Sequence, residues 1–420
     1  MANPITNKQR QVITRWLYLI GFLDLFGVSV IIPLVSHRIR ELGGNAAIAG
    51  VFGSLYGGLQ LFSSPVVGNL SDLLGRRRVI IICLLFTSVG YALLGFSNTL
   101  VFMALARIPT GIFKHSSSLA KAYISDIYDP KEQPGIFGKF NAIANAGFIV
   151  GPLCGGHLAM TDNGFLKVSL LSSSIFFANS LLVYMFFSTQ ESHHDETLNI
   201  DQNGKDELLL QDDEQDEQQG LLAIFHNLWK LPWGKVYGIL TIRFLMAMSV
   251  MFFRGSFSIF LEDRYHANAK TIGYVLSYNG VIGGMSGFVV GKISALYKGD
   301  SVKAVLHCDL VVGLAILGCT FSDSLWVFCL CLLPLSISSN LARVHFTSIL
   351  VSSGKGKEHG ALIGVGQSTL SLGRMLSPSI VGFLQIINVF LPGIVAVLFN
   401  VAAAIFIVFY MKPIKASKHE

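Results

Sequence analysis

Long apolar runs alternate with short polar segments along almost the whole chain. Runs such as 79–96, 165–187 and 394–411 contain few charges and have the length that a helix needs to cross ~30 Å of hydrocarbon. The pattern predicts twelve membrane-spanning helices, in two groups separated by a polar stretch. The predicted spans are 16–36, 47–69, 79–97, 100–122, 136–160, 166–188, 236–260, 270–294, 302–321, 324–350, 359–386 and 391–411.

Composition supports a membrane protein over a soluble one. Hydrophobic residues make up 52% of the chain and charged residues 13%, with a mean hydropathy of +0.58. A soluble surface needs roughly twice that charge. The first apolar run is too long for a cleavable signal peptide and is interpreted as the first span. The six cysteines lie in apolar segments without the spacing of a metal or disulfide framework.

The basic residues predict the orientation of the chain. The formal net charge of +6 does not indicate a nucleic-acid partner, because the basic residues lie in short loops between spans. Most of them, including Arg76 to Arg78, fall on one side, so the positive-inside rule predicts cytosolic termini. The few expected on the other side are Arg38, Arg40, Lys167, Arg264 and Lys270. Without a glycosylation sequon in an exofacial loop, a plasma membrane and an endolysosomal membrane both stay open.

An acidic, Gln-rich stretch near the middle predicts a disordered cytosolic linker. Its last part, 221–233, has apolar residues on one helical face, which favours an interfacial helix; an acidic dileucine sorting signal ending at Leu222 is the alternative. The predicted organisation is a bundle at 1–189, the linker with its interfacial helix at 190–233, a second bundle at 234–412 and a tail at 413–420.

The two predicted bundles repeat each other. Five positions of the first half have counterparts in the second at a constant spacing of 226 residues, four of them identical. They are Gly138, Gly147, Gly151, Pro152 and Gly156, matched by Gly364, Gly373, Ser377, Pro378 and Gly382. Six spans separate equivalent points, so both copies have the same orientation and enclose a cavity between two pseudo-symmetric six-helix bundles.

A polar loop between the second and third spans reads Gly-Asn-Leu-Ser-Asp-Leu-Leu-Gly-Arg-Arg-Arg at 68–78. Its glycines are expected to allow close helix approach, and its acid and arginines to form ion pairs that hold the cytosolic side shut. The expected gate residues are Gly68, Asp72, Gly75, Arg76, Arg77 and Asp126, the last from the end of the fourth span. The alternative is a basic cluster that only fixes topology.

The fifth span carries a second motif, formed by Gly138, Gly147, Gly151, Pro152, Gly155 and Gly156. Residues 147, 151 and 155 lie one turn apart on one face, so a neighbouring helix is expected to pack there at backbone distance. Pro152 is expected to kink the span. Helix packing alone is the alternative to a role in transport.

Charged groups inside the spans are the candidate solute and proton site. They are Asp24, Arg107, Lys114, His115, Arg243, Arg254, Arg343 and Arg374, with Asp309 and His345 nearby in the second half. Because a charge in hydrocarbon is costly, we expect these side chains to face the cavity. Basic groups outnumber the acids, which predicts a net positive cavity and a solute with an anionic group. Asp24 is interpreted either as a proton carrier or as a structural partner of Arg107 or Lys114.

The motifs at 68–78 and 138–156, with Leu-Ala-Arg-Ile-Pro-Thr-Gly at 105–111, resemble those of the major facilitator superfamily, particularly tetracycline-resistance and drug:proton antiporters. The resemblance implies an all-α fold, alternating access, proton-coupled exchange and a link between the fifth-span glycines and antiport. No cofactor is expected beyond a proton gradient, and the expected partners are the bilayer and a small solute, with a monomer as the working unit. A uniporter, or a transporter-like scaffold without net flux, is the alternative; no catalytic grouping indicates an enzyme.

Overall fold

The computed structural model describes residues 7–129, 132–187, 233–297, 300–352 and 359–411. Within those residues the regular structure is entirely helical. The acidic linker and nearly all of the expected interfacial helix lie outside the described residues, so these predictions stay predictions.

Thirteen described helices follow one another along the chain. They are α1 (Asn7–Glu41), α2 (Ala46–Leu73), α3 (Arg76–Gly95), α4 (Leu100–Phe113), α5 (Ser116–Ile127), α6 (Gln133–Ala159), α7 (Gly164–Phe186), α8 (Trp233–Tyr265), α9 (Ala269–Leu296), α10 (Ser301–Phe321), α11 (Leu325–Ser352), α12 (His359–Ile387) and α13 (Leu391–Phe406), the last continued by a π-helical turn at Ile407–Met411.

Ten of these helices are long and apolar enough to cross a membrane, by length and composition. Helix α9 and the consecutive pair α4 and α5 occupy the positions of the two remaining predicted spans. The twelve-span prediction therefore agrees with the fold. The prediction of a continuous fourth span is wrong, because the helix is interrupted at Lys114 and His115.

Short polar residues begin several helices. The side chains of Asn45, Thr99 and Asn268 accept hydrogen bonds from backbone N–H groups three residues on, at 3.0, 3.2 and 2.9 Å. These N-caps satisfy donors that have no partner inside the helix. Gly75 ends the α2–α3 turn at a φ of +87°, a conformation that favours glycine.

Each half has its own apolar core. Leu17, Leu84 and Phe176 are fully buried among α1 to α7, and Phe328 and Leu332 are fully buried among the later helices. Large apolar residues also cover the outside of the bundle, where a bilayer replaces water as the solvent. Each half is thus a packed six-span unit, as the repeat predicts.

Helix α6 packs against α1 at backbone distance. A Cβ built on Gly147 or Gly155 would collide with the carbonyl oxygen of Phe22 or Val30. The residue between them, Gly151, lies equally close to Ser29. The expectation that these three glycines let a neighbouring helix approach therefore agrees with the packing.

We call the face with Asp72 and Arg76 the inner face and the face with Arg40 and Asp263 the outer face. Two helix pairs join the halves, α2 with α12 and α6 with α9, and both are tight near the outer face. A Cβ on Gly50 would collide with Pro378, and one on Gly273 with Pro152.

The same helix pairs separate toward the inner face. Among the described residues, no neighbouring helix comes within 4 Å of a Cβ built on Gly68 of α2, Gly138 of α6 or Gly287 of α9. The close helix approach expected at Gly68 is therefore absent there, and Gly138 differs from the other glycines of its motif. The described helices of the two halves are in contact at the outer face and apart at the inner one.

Ion pairs reinforce the outer closure. Arg40 donates to both carboxylate oxygens of Asp263 at 2.7 and 2.9 Å and lies 3.3 Å from Glu262. The ring of His37 bonds Glu262 at 2.9 Å. These contacts join α1 of the first half to α8 of the second.

The two kinds of motif glycine should differ in their effect on stability. Gly155→Ala should lower the free energy of unfolding by about 1–3 kcal/mol, because the methyl group overpacks the α1 contact. Gly138→Ala should be neutral or stabilising by up to about 1 kcal/mol, because its side of α6 is open and alanine favours a helix. Unfolding of the purified variants in detergent, monitored by circular dichroism, measures both. Equal destabilisation by the two substitutions would contradict the packing.

Candidate functional site

A cavity of about 270 Å³ lies between the two halves, in the outer half of the membrane span. Helices α1, α2, α4, α8 and α12 contribute to its wall. The wall is mostly apolar, with Ile31, Phe52 and Ile259 among its residues. Its polar side chains are Ser36, Tyr56, Tyr91 of α3, Arg107 and Gln385. An apolar pocket with a few convergent polar groups is typical of a small-molecule site.

Arg107 reaches this cavity from α4. Its guanidinium lies 5.9 Å from the centre of the Tyr56 ring. Its Nε is buried without a hydrogen-bond partner, and no carboxylate pairs with the side chain within the described residues. Sequence analysis placed Arg107 in the cavity, and the structure agrees.

Four further arginines come from the second half. Arg343 of α11 lies within electrostatic range of both Arg243 and Arg254 of α8. Arg254 is accessible to water although protein surrounds it, as expected for a group that faces an internal space. Arg374 of α12 lies within electrostatic range of Tyr56, which lines the cavity. Arg254 and Arg374 add positive charge near the space between the halves. Arg243 instead is buried against Gly366 within the second half, so the expectation that it faces the cavity is not met.

Asp24 belongs to a buried ion pair. Lys114 Nζ lies 2.6 Å from Asp24 Oδ2, and the hydroxyl of Ser116 donates to Asp24 Oδ1. Asp24 is fully buried, Lys114 is 8% exposed, and the ammonium also lies 5.2 Å from the ring centre of Phe176. Of the partners considered for Asp24, the structure selects Lys114 and not Arg107.

The break in the fourth span is held by polar groups of α2. Gln60 donates to the carbonyl oxygen of Lys114 at 3.0 Å, and Ser63 bonds the His115 ring at 2.8 Å. Since backbone groups in a membrane must find partners within the protein, these contacts make the break tolerable. The expectation that Lys114 and His115 face the cavity is wrong, because both are buried inside the first bundle.

Sequence reasoning missed this break and the α2 residues that support it. The signal was the polar run at 114–118, Lys-His-Ser-Ser-Ser, in the middle of a predicted span. Side chains of this kind compete for backbone hydrogen bonds and weaken a helix.

Asp309 of α10 does not face the cavity. It is fully buried in the second bundle, and neither carboxylate oxygen has a hydrogen-bond partner within the described residues. It lies one turn before Gly313, which packs against Asn400 of α13. The two membrane acids therefore leave Arg107 and Arg254 without a carboxylate partner among the described residues.

The inner-face motif forms ion pairs, but within the first half. Arg76 lies 2.5 Å from Asp72 and 2.9 Å from Asp126, and it donates to Ser71. These contacts tie the α2–α3 loop to the end of α5. The expectation that the cluster holds the inner side shut is not met in this conformation, where the inner side is open.

Arg77 contacts the last turns of α7. It donates to the carbonyl oxygen of Tyr184 at 2.9 Å and lies over the ring of that tyrosine. It therefore anchors α3 to the end of α7. Gln133 donates to the carbonyl oxygens of Ser125 and Tyr128, closing the end of α5. Within the described residues, no cluster of His, Cys, Asp and Glu could hold a metal ion.

Relatives cover most of the chain. The class B tetracycline resistance protein of Escherichia coli is 26% identical over 90% of this chain and 89% of its own length. The class C protein of the same organism is 27% identical over 64% of each chain.

Solved structures share the fold. A bacterial homolog of the human lysosomal transporter Spinster, inward-facing and unoccupied, has a TM-score of 0.77 at 15% identity, covering 96% of this chain and 97% of its own. The human organic anion transporter MFSD10 has a TM-score of 0.63 at 18% identity, covering 96% of this chain and 100% of its own.

The family model of the Major Facilitator Superfamily matches residues 17–378. That match takes in the inner-face loop motif, the fifth-span glycines and the residues that line the central cavity, apart from Gly382 and Gln385. The chain belongs to the Major Facilitator Superfamily of membrane transporters.

Proposed function

We propose that the protein is a secondary active antiporter that exchanges protons for a small anionic or zwitterionic organic solute by alternating access. The observation that carries the proposal is the excess of unpaired arginine in the central space. Arg107, Arg254 and Arg374 have no carboxylate partner within the described residues. A cation inside a membrane protein is stable when it faces water or a counter-charge, and a bound anion supplies the latter.

Arg107 is the proposed first contact of the anion. A guanidinium offers paired N–H donors that match a carboxylate, and Arg107 lines the cavity wall. The apolar wall strengthens such a contact, because little water competes with the ligand. The fold shared with an organic anion transporter supports this choice of solute.

The Asp24–Lys114 pair is the proposed proton-sensitive element. A proton on Asp24 cancels its attraction to Lys114, and the contact between α1 and the break in the fourth span then weakens. Irregular backbone in the middle of a span is typical of transporter sites where helix segments rearrange. Tetracycline resistance proteins among the relatives support exchange as the mode of transport.

Alternation requires the two faces to open in turn. The outer contacts of Arg40 with Asp263 and Glu262 must break for the outer face to open. The exposed parts of α2, α6 and α9 near Gly68, Gly138 and Gly287 are then free to close at the inner face. We propose that the inner face is cytosolic, because Arg76, Arg77 and Arg78 lie there.

Transport by purified protein in liposomes tests the proposal. A screen of organic anions, zwitterions and permanent cations under imposed pH and voltage gradients should reveal saturable, pH-gradient-driven movement of anions or zwitterions. Selective movement of permanent cations would contradict the assignment.

Removing the cavity arginine should weaken anion transport. Arg107→Gln should raise the KM for a transported anion about 10- to 100-fold, because a hydrogen-bonded charge contact is lost. Arg15→Gln, the same change at an exposed position of α1, is the control and should leave KM unchanged. Initial uptake rates against anion concentration measure both. Equal KM values in the two variants would remove Arg107 from the site.

Breaking the Asp24–Lys114 ion pair should lower the stability of the protein and abolish proton-driven uptake. Asp24→Asn should lower the free energy of unfolding by about 3–5 kcal/mol, because Lys114 keeps its buried charge without a partner. It should also abolish uptake driven by a pH gradient while leaving solute counterflow.

The double variant Asp24→Asn/Lys114→Met separates the two roles of Asp24. It should recover much of the lost stability, since no unpaired charge remains, but not the gradient-driven uptake. If the double variant regains gradient-driven uptake, Asp24 is a structural partner only. Thermal unfolding and paired uptake and counterflow assays give the answer.

A further inference from the structure

The ring of His37 lies between two carboxylates at the outer face. Its Nδ1 lies 2.9 Å from an oxygen of Glu262, and its Nε2 lies 3.2 Å from an oxygen of Glu41. A neutral imidazole has one N–H group and one lone pair, whereas the protonated ring has two N–H groups. Because only the protonated ring can donate to both carboxylates, the geometry fits an imidazolium.

The two carboxylates differ in how they reach the ring. Glu41 lies one turn from His37 on α1, so it stays beside the ring whichever face of the protein is open. Glu262 belongs to α8 of the second half and meets His37 where the two halves are in contact. Opening of the outer face separates Glu262 from the ring, and the proton then loses one of its two carboxylate partners. The proton is therefore bound more tightly when the outer face is closed.

Two arginines share these carboxylates with the ring. Arg38 donates to the other oxygen of Glu41 at 2.9 Å. Arg40 lies 3.3 Å from Glu262 and also pairs with Asp263. Since arginine keeps its charge at every pH that a cell meets, these contacts hold the carboxylates in place without responding to pH. The imidazole is the group in this contact that titrates near neutral pH.

The ring is open to the solution on the outer side. His37 is half exposed, and it lines a cavity of about 270 Å³ at the outer face. The α6–α7 hairpin and α9 add apolar side chains to the wall of this outer cavity, namely Ala159, Met160, Phe165, Ala269 and Ile272. The ring can exchange its proton with the outer side even while the outer face is closed. This proton is therefore not carried across the membrane, which separates His37 from the role proposed for Asp24.

We propose that His37 is a proton-binding site that senses the pH on the outer side: a proton on its ring joins α1 to α8 and keeps the outer face closed. Acid on that side then favours the conformation that is open at the inner face, since a ligand stabilises the state that binds it more tightly. As the pH rises and the ring loses its proton, the closed state loses this stabilisation. No particular solute is needed, so the pH response goes beyond the proposed exchange.

Distances across the outer face measure this response without transport. Spin labels on an unnatural amino acid at the exposed positions 98 and 326, between α3 and α4 and at the start of α11, report the separation of the halves by electron paramagnetic resonance in nanodiscs. Distance distributions are compared at about pH 5.5 and about pH 9, on either side of the range in which histidine titrates. Every chain carries Arg40→Gln, which removes the parallel ion pairs with Asp263 and Glu262 and so populates the state that is open at the outer face.

In this background the ratio of closed to open outer face should be about two- to fivefold higher at the acid pH, the range for a partly exposed charged contact. His37→Gln should abolish the difference, because glutamine does not titrate. Glu262→Gln should abolish it too, since the proton then meets the same carboxylate in both states. Glu41→Gln should keep the difference. His266→Asn, at a second exposed histidine of the outer face, is the control and should also keep it; its φ of +51° is one that asparagine tolerates.

Three results would overturn the role of His37. They are a ratio that does not change between the two pH values, a change that persists in His37→Gln, and a change that persists in Glu262→Gln. A failure of anion transport in the liposome screen leaves the pH response of the outer face intact. A pH-independent outer face likewise leaves the proposed exchange intact, so the two proposals fail separately.

Discussion

A charged side chain within a bilayer is stable only where a counter-charge or water reaches it. This requirement determines where the charged residues of the protein lie. Asp24 and Lys114 meet it by pairing with each other at 2.6 Å inside the first bundle. Arg107 and Arg254 meet it by facing the space between the halves. The first solution binds α1 to the broken fourth span. The second concentrates positive charge where a solute has to pass.

Sequence reasoning was strongest where a pattern repeats. Twelve apolar runs and a constant spacing of 226 residues predicted two similar bundles with a cavity between them. The one-turn spacing of Gly147, Gly151 and Gly155 predicted close packing, and the structure gives the partner as α1. Such features depend on local periodicity, which a sequence displays directly.

Features that depend on distant partners were less accessible from the sequence. Nothing in the order of residues chose Lys114 over Arg107 as the partner of Asp24, since both lie on the fourth span. The break at Lys114 depends on Gln60 and Ser63, more than fifty residues earlier in the chain. His37 drew no attention because a histidine near the end of a span is unremarkable until the carboxylates on both sides of its ring are known.

The inner-face motif shows a second limit, since one sequence encodes several conformations. Ion pairs of Arg76 with Asp72 and Asp126 were expected to close the inner side, yet they form while that side is open. Their contacts stay within the first half, so they hold the α2–α3 loop in shape whichever face is closed. Closing the inner face must then use contacts that this conformation does not contain.

The fifth-span glycines make two different packing contacts. Gly147, Gly151 and Gly155 hold α6 close to α1 within one half, whereas Gly156 holds the same helix close to Ala269 of α9 in the other half. Helix α6 therefore connects the core of the first bundle to the interface between the bundles. Under the proposed alternating-access mechanism, that interface is where the two bundles move against each other. A glycine that only packs therefore affects the proposed exchange when its contact lies at that interface.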